Sequence, residues 1–249
     1  MSSTMRMWTE VLFNIAYLIV IWVLVSKMHR RVENVIPKDN SVACNMMIAF
    51  MFLAIGDTGH VGFRVLSYYL GGLDAKLSLL GVELSLVGSG ALTTAVTITL
   101  FYVIMLDTWR KRFNAKYGVF EYILIVVAII RLIMFLHPGN QWSSVIPPYS
   151  WSVLRNIPLM LQGLGVAYLI LRDAFKSKDK LFKWIGFLIF LSYVCNLPVI
   201  FLVQKSSWIG MLMIPKTLAY LAIAGLVYKD FFEDIVQITI PPLNINKGI

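Results

Sequence analysis

Seven ionisable side chains lie within segments that are apolar enough to cross a lipid bilayer. Three of them fall in the stretch LAIGDTGHVGFRVL at residues 53–66, and the full set is Asp57, His60, Arg64, Glu83, Arg131, Arg155 and Lys216. Charges in the hydrocarbon core are costly, so such residues usually face the interior of a helix bundle or a wet cavity and are functional candidates. The set therefore marks the first place to look for chemistry.

The balance of these charges favours anion binding. The set contains four cations but two carboxylates, so positive charge is left over after pairing. Arginine makes strong charge-assisted hydrogen bonds to carboxylates and phosphates where water is scarce. We therefore predict a polar pocket that binds a small anionic or amphipathic ligand, as in a receptor or a carrier. The predicted ligand-binding residues are Asp57, His60, Arg64, Glu83, Arg131, Arg155, Gln162, Asn196, Lys216 and Tyr220.

Two other interpretations of the same residues stay open. Positions 57, 60 and 64 fall on one helical face, and an Asp57–His60 pair could perform acid–base chemistry on a lipid head group, with Glu83 as a third catalytic candidate. Alternatively, the charges could form internal salt bridges that hold the helices together. The sequence lacks HxxxH and HExxH patterns, so we predict no metal site, and no motif requires a cofactor.

The elements that must position these residues are membrane helices. Of the 249 residues, 59% are hydrophobic and 14% are charged, far from the composition of soluble domains. A spanning helix needs about 20 apolar residues. The sequence predicts an all-α membrane protein, a single domain over residues 1–249 with seven transmembrane helices near 8–26, 43–66, 78–106, 119–137, 151–171, 184–203 and 208–228.

Basic residues predict the orientation of this bundle. They concentrate between helices 1 and 2, 3 and 4, and 5 and 6, whereas the other side has Arg6, Lys76 and Lys205. By the positive-inside rule, the N-terminus lies outside and a short C-terminal tail is cytoplasmic. The net charge of +9 thus indicates attraction to membrane lipids, with no nucleic acid as partner. We expect a multi-pass protein of the plasma membrane, with its oligomeric state left open.

Small residues and prolines predict where helices approach closely or break. Gly56, Gly59 and Gly62 lie beside the polar stripe of the second helix and would let a neighbouring backbone approach. Prolines interrupt the last three predicted helices, and broken helices free backbone groups that can line a cavity. These prolines are Pro158, Pro198 and Pro215.

The seven-helix arrangement resembles two groups of membrane proteins. It resembles the microbial rhodopsins at Lys216, in the middle of the seventh helix, and at Glu83, on the third helix. That resemblance implies a retinal Schiff base on Lys216 with Glu83 as counterion, although Leu212 stands where an acid would be expected one turn before the lysine. The two parallel sets of three helices also resemble sugar carriers with three-helix repeats, without a residue-level repeat.

Overall fold

The computed structural model describes residues 3–79, 82–203 and 206–233, and these residues are mostly helical. The helices are α1 (Ser3–Arg31), α2 (Pro37–Tyr69), α3 (Leu86–Arg112), α4 (Val119–Met134), α5 (Tyr149–Leu154), α6 (Ile157–Ser177), α7 (Lys180–Leu202) and α8 (Met213–Tyr228). An antiparallel hairpin of β1 (Lys76–Leu79) and β2 (Val82–Ser85) separates α2 from α3. Lys205 and the predicted tail beyond residue 233 lie outside the described residues.

Six helical segments among the described residues are long and apolar enough to cross a membrane, which indicates a multi-pass integral membrane protein. They are Leu12–Asn34, Pro37–Tyr69, Leu86–Arg112, Tyr149–Ser177, Lys180–Leu202 and Trp208–Glu233. The remaining predicted span, 119–137, corresponds to α4, which has 16 residues. This is shorter than the roughly 20 residues that span a bilayer, so the count of seven spans is not established.

The third predicted helix, 78–106, is wrong at its start. Residues Lys76–Leu79 pair with Val82–Ser85 in the hairpin, and α3 begins at Leu86. The sequences KLSL and VELS alternate polar and apolar residues, and this period of two is typical of strands. Ser85 then caps α3, because its hydroxyl accepts a hydrogen bond from the Gly88 amide. The apolar run therefore joins a hairpin to a helix.

The three prolines have different effects on their helices. The predicted helix 151–171 is broken at Arg155 and Asn156, and Pro158 is the second residue of α6, a position where its missing N–H does no harm. By contrast, α7 continues through Pro198. Pro215 lies in the first turn of α8, after a 3-10 turn over Ser207–Leu212. The expected interruption is therefore clear in one of the three helices.

Glycines let α2 and α3 pack at short distance. A Cβ atom at Gly56 would collide with the Thr97 hydroxyl, and one at Gly59 would lie 2.7 Å from a Thr93 methyl group. A Cβ atom at Gly90 of α3 would lie 3.1 Å from the Gly59 carbonyl oxygen of α2. The predicted role of Gly56 and Gly59 is thus confirmed, whereas Gly62 faces open space.

Two ends of the bundle can be distinguished. At the basic end, α1, α3 and α6 finish and α2, α4 and α7 begin, and ion pairs connect α3 to the starts of α2 and α7. At the opposite end, called here the hairpin end, lie the β-hairpin, the end of α4 and the break between α5 and α6. The backbone of Trp142 packs against Gly88 there, so the loop after α4 lies over the start of α3.

Candidate functional site

Arg131, in the last turn of α4, is the most completely buried cation among the described residues, with a residue exposure of 1%. Its Nε donates to the Arg155 carbonyl at 3.0 Å, and its Nη1 donates to the Ala95 carbonyl at 2.9 Å and to the Thr99 hydroxyl. Its guanidinium also lies 5.0 Å from the centre of the Phe135 ring. Neutral oxygens from α3 and from the α5–α6 break therefore hold this charge.

Arg155 lies at the break between α5 and α6 and faces the same region. Its guanidinium lies 4.5 Å from the centre of the Trp142 ring, and its buried Nη1 has no hydrogen-bond partner. A buried N–H without an acceptor is costly. Arg155 therefore offers a donor for which the described residues supply no acceptor.

Gln162 completes what we call the arginine cluster: Arg131, Arg155, Gln162 and Thr99. Its side-chain nitrogen donates to the Thr99 carbonyl at 3.2 Å. The residue is 1% exposed, and its Oε1 is buried without a hydrogen-bond partner. The cluster thus contains one unused donor and one unused acceptor, and none of its members forms an ion pair with a described residue.

A second polar group joins α1, α2, α7 and α8. The Tyr17 hydroxyl donates to Asp57 Oδ2 at 2.7 Å, and Lys216 Nζ donates to Asn196 Oδ1 at 3.1 Å. Lys216 is close enough to Asp57 for their charges to interact, although the described residues contain no ion pair between them. The predicted partners Asp57, Asn196 and Lys216 are therefore brought together, with Tyr17 added.

Tyrosine hydroxyls connect the middle of the bundle. The Tyr102 and Tyr220 hydroxyls lie 2.5 Å apart, and the Ser192 hydroxyl donates to that of Tyr220 at 3.4 Å. Tyr193 donates to the Leu159 carbonyl at 2.9 Å, and its ring fits against α6 because position 163 is a glycine. Tyr220, predicted as a site residue, thus lies in a packed hydroxyl network.

Glu83 is the site prediction that the structure contradicts. It lies on β2, outside the membrane helices, where its Oε2 forms an exposed ion pair with Lys76 Nζ at 2.8 Å. The hydrogen bond from Lys76 and the positive charge of Lys76 lower the pKa of Glu83 and reciprocally raise that of Lys76. Glu83 is therefore neither a wall of the cluster nor a counterion for Lys216, and the alternative of a Schiff base at Lys216 stays a prediction.

The three ionisable residues of the polar stripe on α2 differ in their exposure. Asp57 and His60 are half-buried, and Arg64 is exposed. No hydrogen bond joins His60 to Asp57 within the described part of the chain, so acid–base chemistry by this pair also stays a prediction. Among the described residues, no three metal-binding side chains come together.

In the described part of the chain, no salt bridge joins two of the predicted interior charges. Among the described residues, Glu83 is the one member of that set in an ion pair, and its partner is a hairpin lysine. The structural hypothesis of internal salt bridges is therefore wrong in that form. Hydrogen bonds to carbonyls, amides and hydroxyls replace them.

Sequence reasoning missed the neutral partners of these charges. Tyr17, Thr99 and Trp142 are not among the predicted site residues, yet they contact Asp57, Arg131 and Arg155, respectively. The available signal was their polar atoms at helical positions, but their partners lie 40, 32 and 13 residues away in sequence. A comparison with known protein families, characterised proteins and solved structures finds no match to this chain.

Proposed function

We propose that this chain is a membrane protein whose arginine cluster binds a small anionic or amphipathic ligand, as a receptor or carrier does. In this proposal the N-terminus lies outside the cell and the C-terminus in the cytoplasm. The orientation rests on the basic loops, which would face the cytoplasm of a plasma membrane. The hairpin end, and with it the arginine cluster, would then lie toward the outer face.

The observation that carries the proposal is the pair of unused polar atoms at Arg155 and Gln162. A carboxylate or phosphate would accept from Arg155 Nη1, and a hydroxyl or amide on the same ligand would donate to Gln162 Oε1. Arg131 adds positive charge nearby and has no acidic partner among the described residues. An anion would therefore relieve both the unpaired donor and the uncompensated charge.

The ligand would sit beside aromatic surfaces as well as charge. The Trp142 and Phe135 rings form an edge-to-face pair, 6.1 Å between ring centres, and each carries one guanidinium on its face. An apolar tail could pack there while the anionic group meets Arg155. This combination favours amphipathic carboxylates over inorganic anions.

The experiment compares dodecanoate with dodecanol, which has the same chain without the charge. Detergent-solubilised protein is mixed with each compound, and the bound fraction is measured by native mass spectrometry. We expect retention of dodecanoate in preference to dodecanol. Arg155→Gln should weaken dodecanoate binding by about tenfold or more, since it removes a charge-assisted hydrogen bond.

Lys76→Gln is the matched control. It removes one cation from the same end of the bundle, but Lys76 is exposed and pairs with Glu83. Dodecanoate binding should be unchanged in this variant. Equal binding of dodecanoate by the wild type and Arg155→Gln, or equal losses in both variants, would exclude the arginine cluster as the anion site.

A further inference from the structure

A surface recess on α1 lies far along the chain from the arginine cluster, near the basic end. Its volume is about 330 Å³, and its lining residues are Trp22, Val23, Ser26, Lys27 and Arg30. Residues 22, 26 and 30 are each one helical turn apart, so they form one row along the helix. The part of the recess farther from the basic end is thus aromatic, and the part nearer to that end is cationic, on a single helix face.

The cationic part of the recess has two basic side chains that can bind an anion. Lys27 and Arg30 are exposed, and neither forms an ion pair with a described residue. Even Glu33, one turn beyond Arg30, makes no ion pair with it. Lys27 Nζ also lies 5.8 Å from the centre of the Tyr228 ring. The Ser26 hydroxyl supplies a third donor.

The aromatic part is held in place and continues into an apolar strip. Trp22 Nε1 donates to the Thr58 hydroxyl of α2 at 2.9 Å, which fixes the orientation of the indole. Beyond it, away from the basic end, Leu12, Ile15 and Ile19 are exposed to 63%, 43% and 61%. From Leu12 to Trp22 the helix rises about 15 Å, close to half of the roughly 30 Å hydrocarbon thickness.

We infer that this recess binds the head group of an anionic phospholipid, with the acyl chains along the apolar strip. The phosphodiester would accept hydrogen bonds from Arg30, Lys27 and Ser26, and the indole would lie at the level where tryptophan is enriched in membrane proteins. A free phosphate would use the cationic part alone. The apolar strip of one leaflet's length therefore favours a lipid as the occupant.

The test measures lipids bound to the full chain by native mass spectrometry in detergent. Phosphatidylglycerol and phosphatidylcholine with identical acyl chains are added separately, and glycerol 3-phosphate is added as a soluble competitor. We expect phosphatidylglycerol to bind in preference to phosphatidylcholine, and glycerol 3-phosphate at equal concentration not to displace it. Displacement would show that the phosphate alone is recognised and would overturn the assignment of a lipid.

Variants then locate the binding. Lys27→Gln with Arg30→Gln should lower phosphatidylglycerol binding about 25-fold, since each basic residue near an anionic membrane surface contributes about fivefold. Ser26→Trp fills the recess while both charges remain, and it should cause a comparable loss. All three positions are exposed, so the bundle should fold normally. Unchanged binding in either variant would overturn the proposal.

A matched control separates a built site from diffuse attraction. The double variant Lys176→Gln with Lys178→Gln removes the same amount of charge from the same end of the bundle. Both positions are exposed; Lys176 lies in the last turn of α6, and Lys178 directly follows that helix. Phosphatidylglycerol binding should be unchanged in this pair. An equal loss in the control would show that total basic charge, rather than the recess on α1, attracts the lipid.

Discussion

Positive charge is balanced differently by the ion pairs of Arg112 and Arg172 at the basic end and by the arginine cluster. At the basic end, Arg112 bonds to Asp39 at 3.0 Å and to Asp179 at 2.8 Å, and Arg172 pairs with Asp173 at 2.7 Å. In the arginine cluster, the guanidinium of Arg131 meets carbonyls and a hydroxyl. The first arrangement neutralises its charge internally, whereas the second leaves an excess that an external anion can meet. The position of a charge in the bundle therefore does not by itself indicate a binding site, whereas the identity of its partners does.

Replacing Arg131 should have the largest effect on stability. Arg131→Met removes hydrogen bonds that join α4 to α3 and to the α5–α6 break, so we expect a loss of about 3 kcal/mol in the free energy of unfolding. Arg131→Lys should recover little, because one ammonium lacks the fork that reaches several acceptors. Unfolding in detergent micelles measures both variants. Full stability of Arg131→Met would mean that these contacts do not hold the helices.

Replacing Arg112 should have a smaller and salt-dependent effect. Arg112→Ala leaves two partly buried carboxylates without their partner, and we expect a loss of about 2 kcal/mol. The Arg112 side chain is 25% exposed, so salt should screen its ion pairs and reduce the loss. The loss in Arg131→Met should not change with salt, because its partners are neutral. Equal salt dependence in both variants would remove the contrast between the two regions.

Removing the hydrogen-bond donor to Asp57 tests a third arrangement, in which a neutral hydroxyl group donates to an acidic side chain. Tyr17→Phe deletes the hydroxyl that donates to Asp57 and keeps the ring. We expect a loss of about 1 kcal/mol in the free energy of unfolding. Asp57→Asn in the Tyr17→Phe background should restore part of it, since an amide is less costly to leave without that donor. Full stability of Tyr17→Phe would indicate that the ring packing alone matters, and no recovery in the double variant would indicate that the loss does not come from the Asp57 carboxylate.

The hairpin should show the smallest effect, seen in titration rather than in unfolding. Because its folded pKa is lowered, Glu83 contributes stability above the ordinary carboxyl pKa, and this is lost as the pH falls through the lowered value. The raised pKa of Lys76 has the opposite effect on the pH dependence. Lys76 contributes stability below its ordinary pKa, and this contribution is lost as the pH rises through the raised value. Lys76→Met should return the Glu83 pKa toward its ordinary range, measured by NMR of the labelled carboxyl. An unchanged pKa would show that the pair does not form in solution.

Hydropathy and charge predicted much of the architecture because each membrane helix must satisfy its own backbone. The burial of Arg131 also follows from its type, since an arginine within an apolar helix seeks the bundle interior. The hairpin was missed because its leucines and valines extended an apolar run, and that run outweighed the alternation of Lys76 to Ser85. The local sequence pattern therefore predicts the presence of a helix better than the residues at which it begins and ends.

The partners in the candidate site could not be predicted for a different reason. Tyr17 meets Asp57, and Thr99 meets Arg131, through docking of helices that are distant in sequence. A spacing of seven residues predicts that Arg155 and Gln162 lie on one face of a single helix, whereas a break separates Arg155 from α6. Contacts of this kind depend on how helices cross and where they break, and a single sequence does not contain that information.

The length of α4 has a consequence for the surrounding bilayer. Sixteen residues rise about 24 Å, which is several ångströms less than a typical hydrocarbon core. The lipid-facing side of α4 is apolar, with Ile123, Val126, Ile130 and Ile133 exposed. If α4 spans the bilayer as the seventh helix, lipids beside it must thin to match it, at a cost of a fraction of a kcal/mol per ångström. In that case we expect the protein to prefer thin membranes, with the thinnest annulus beside the helix that carries Arg131.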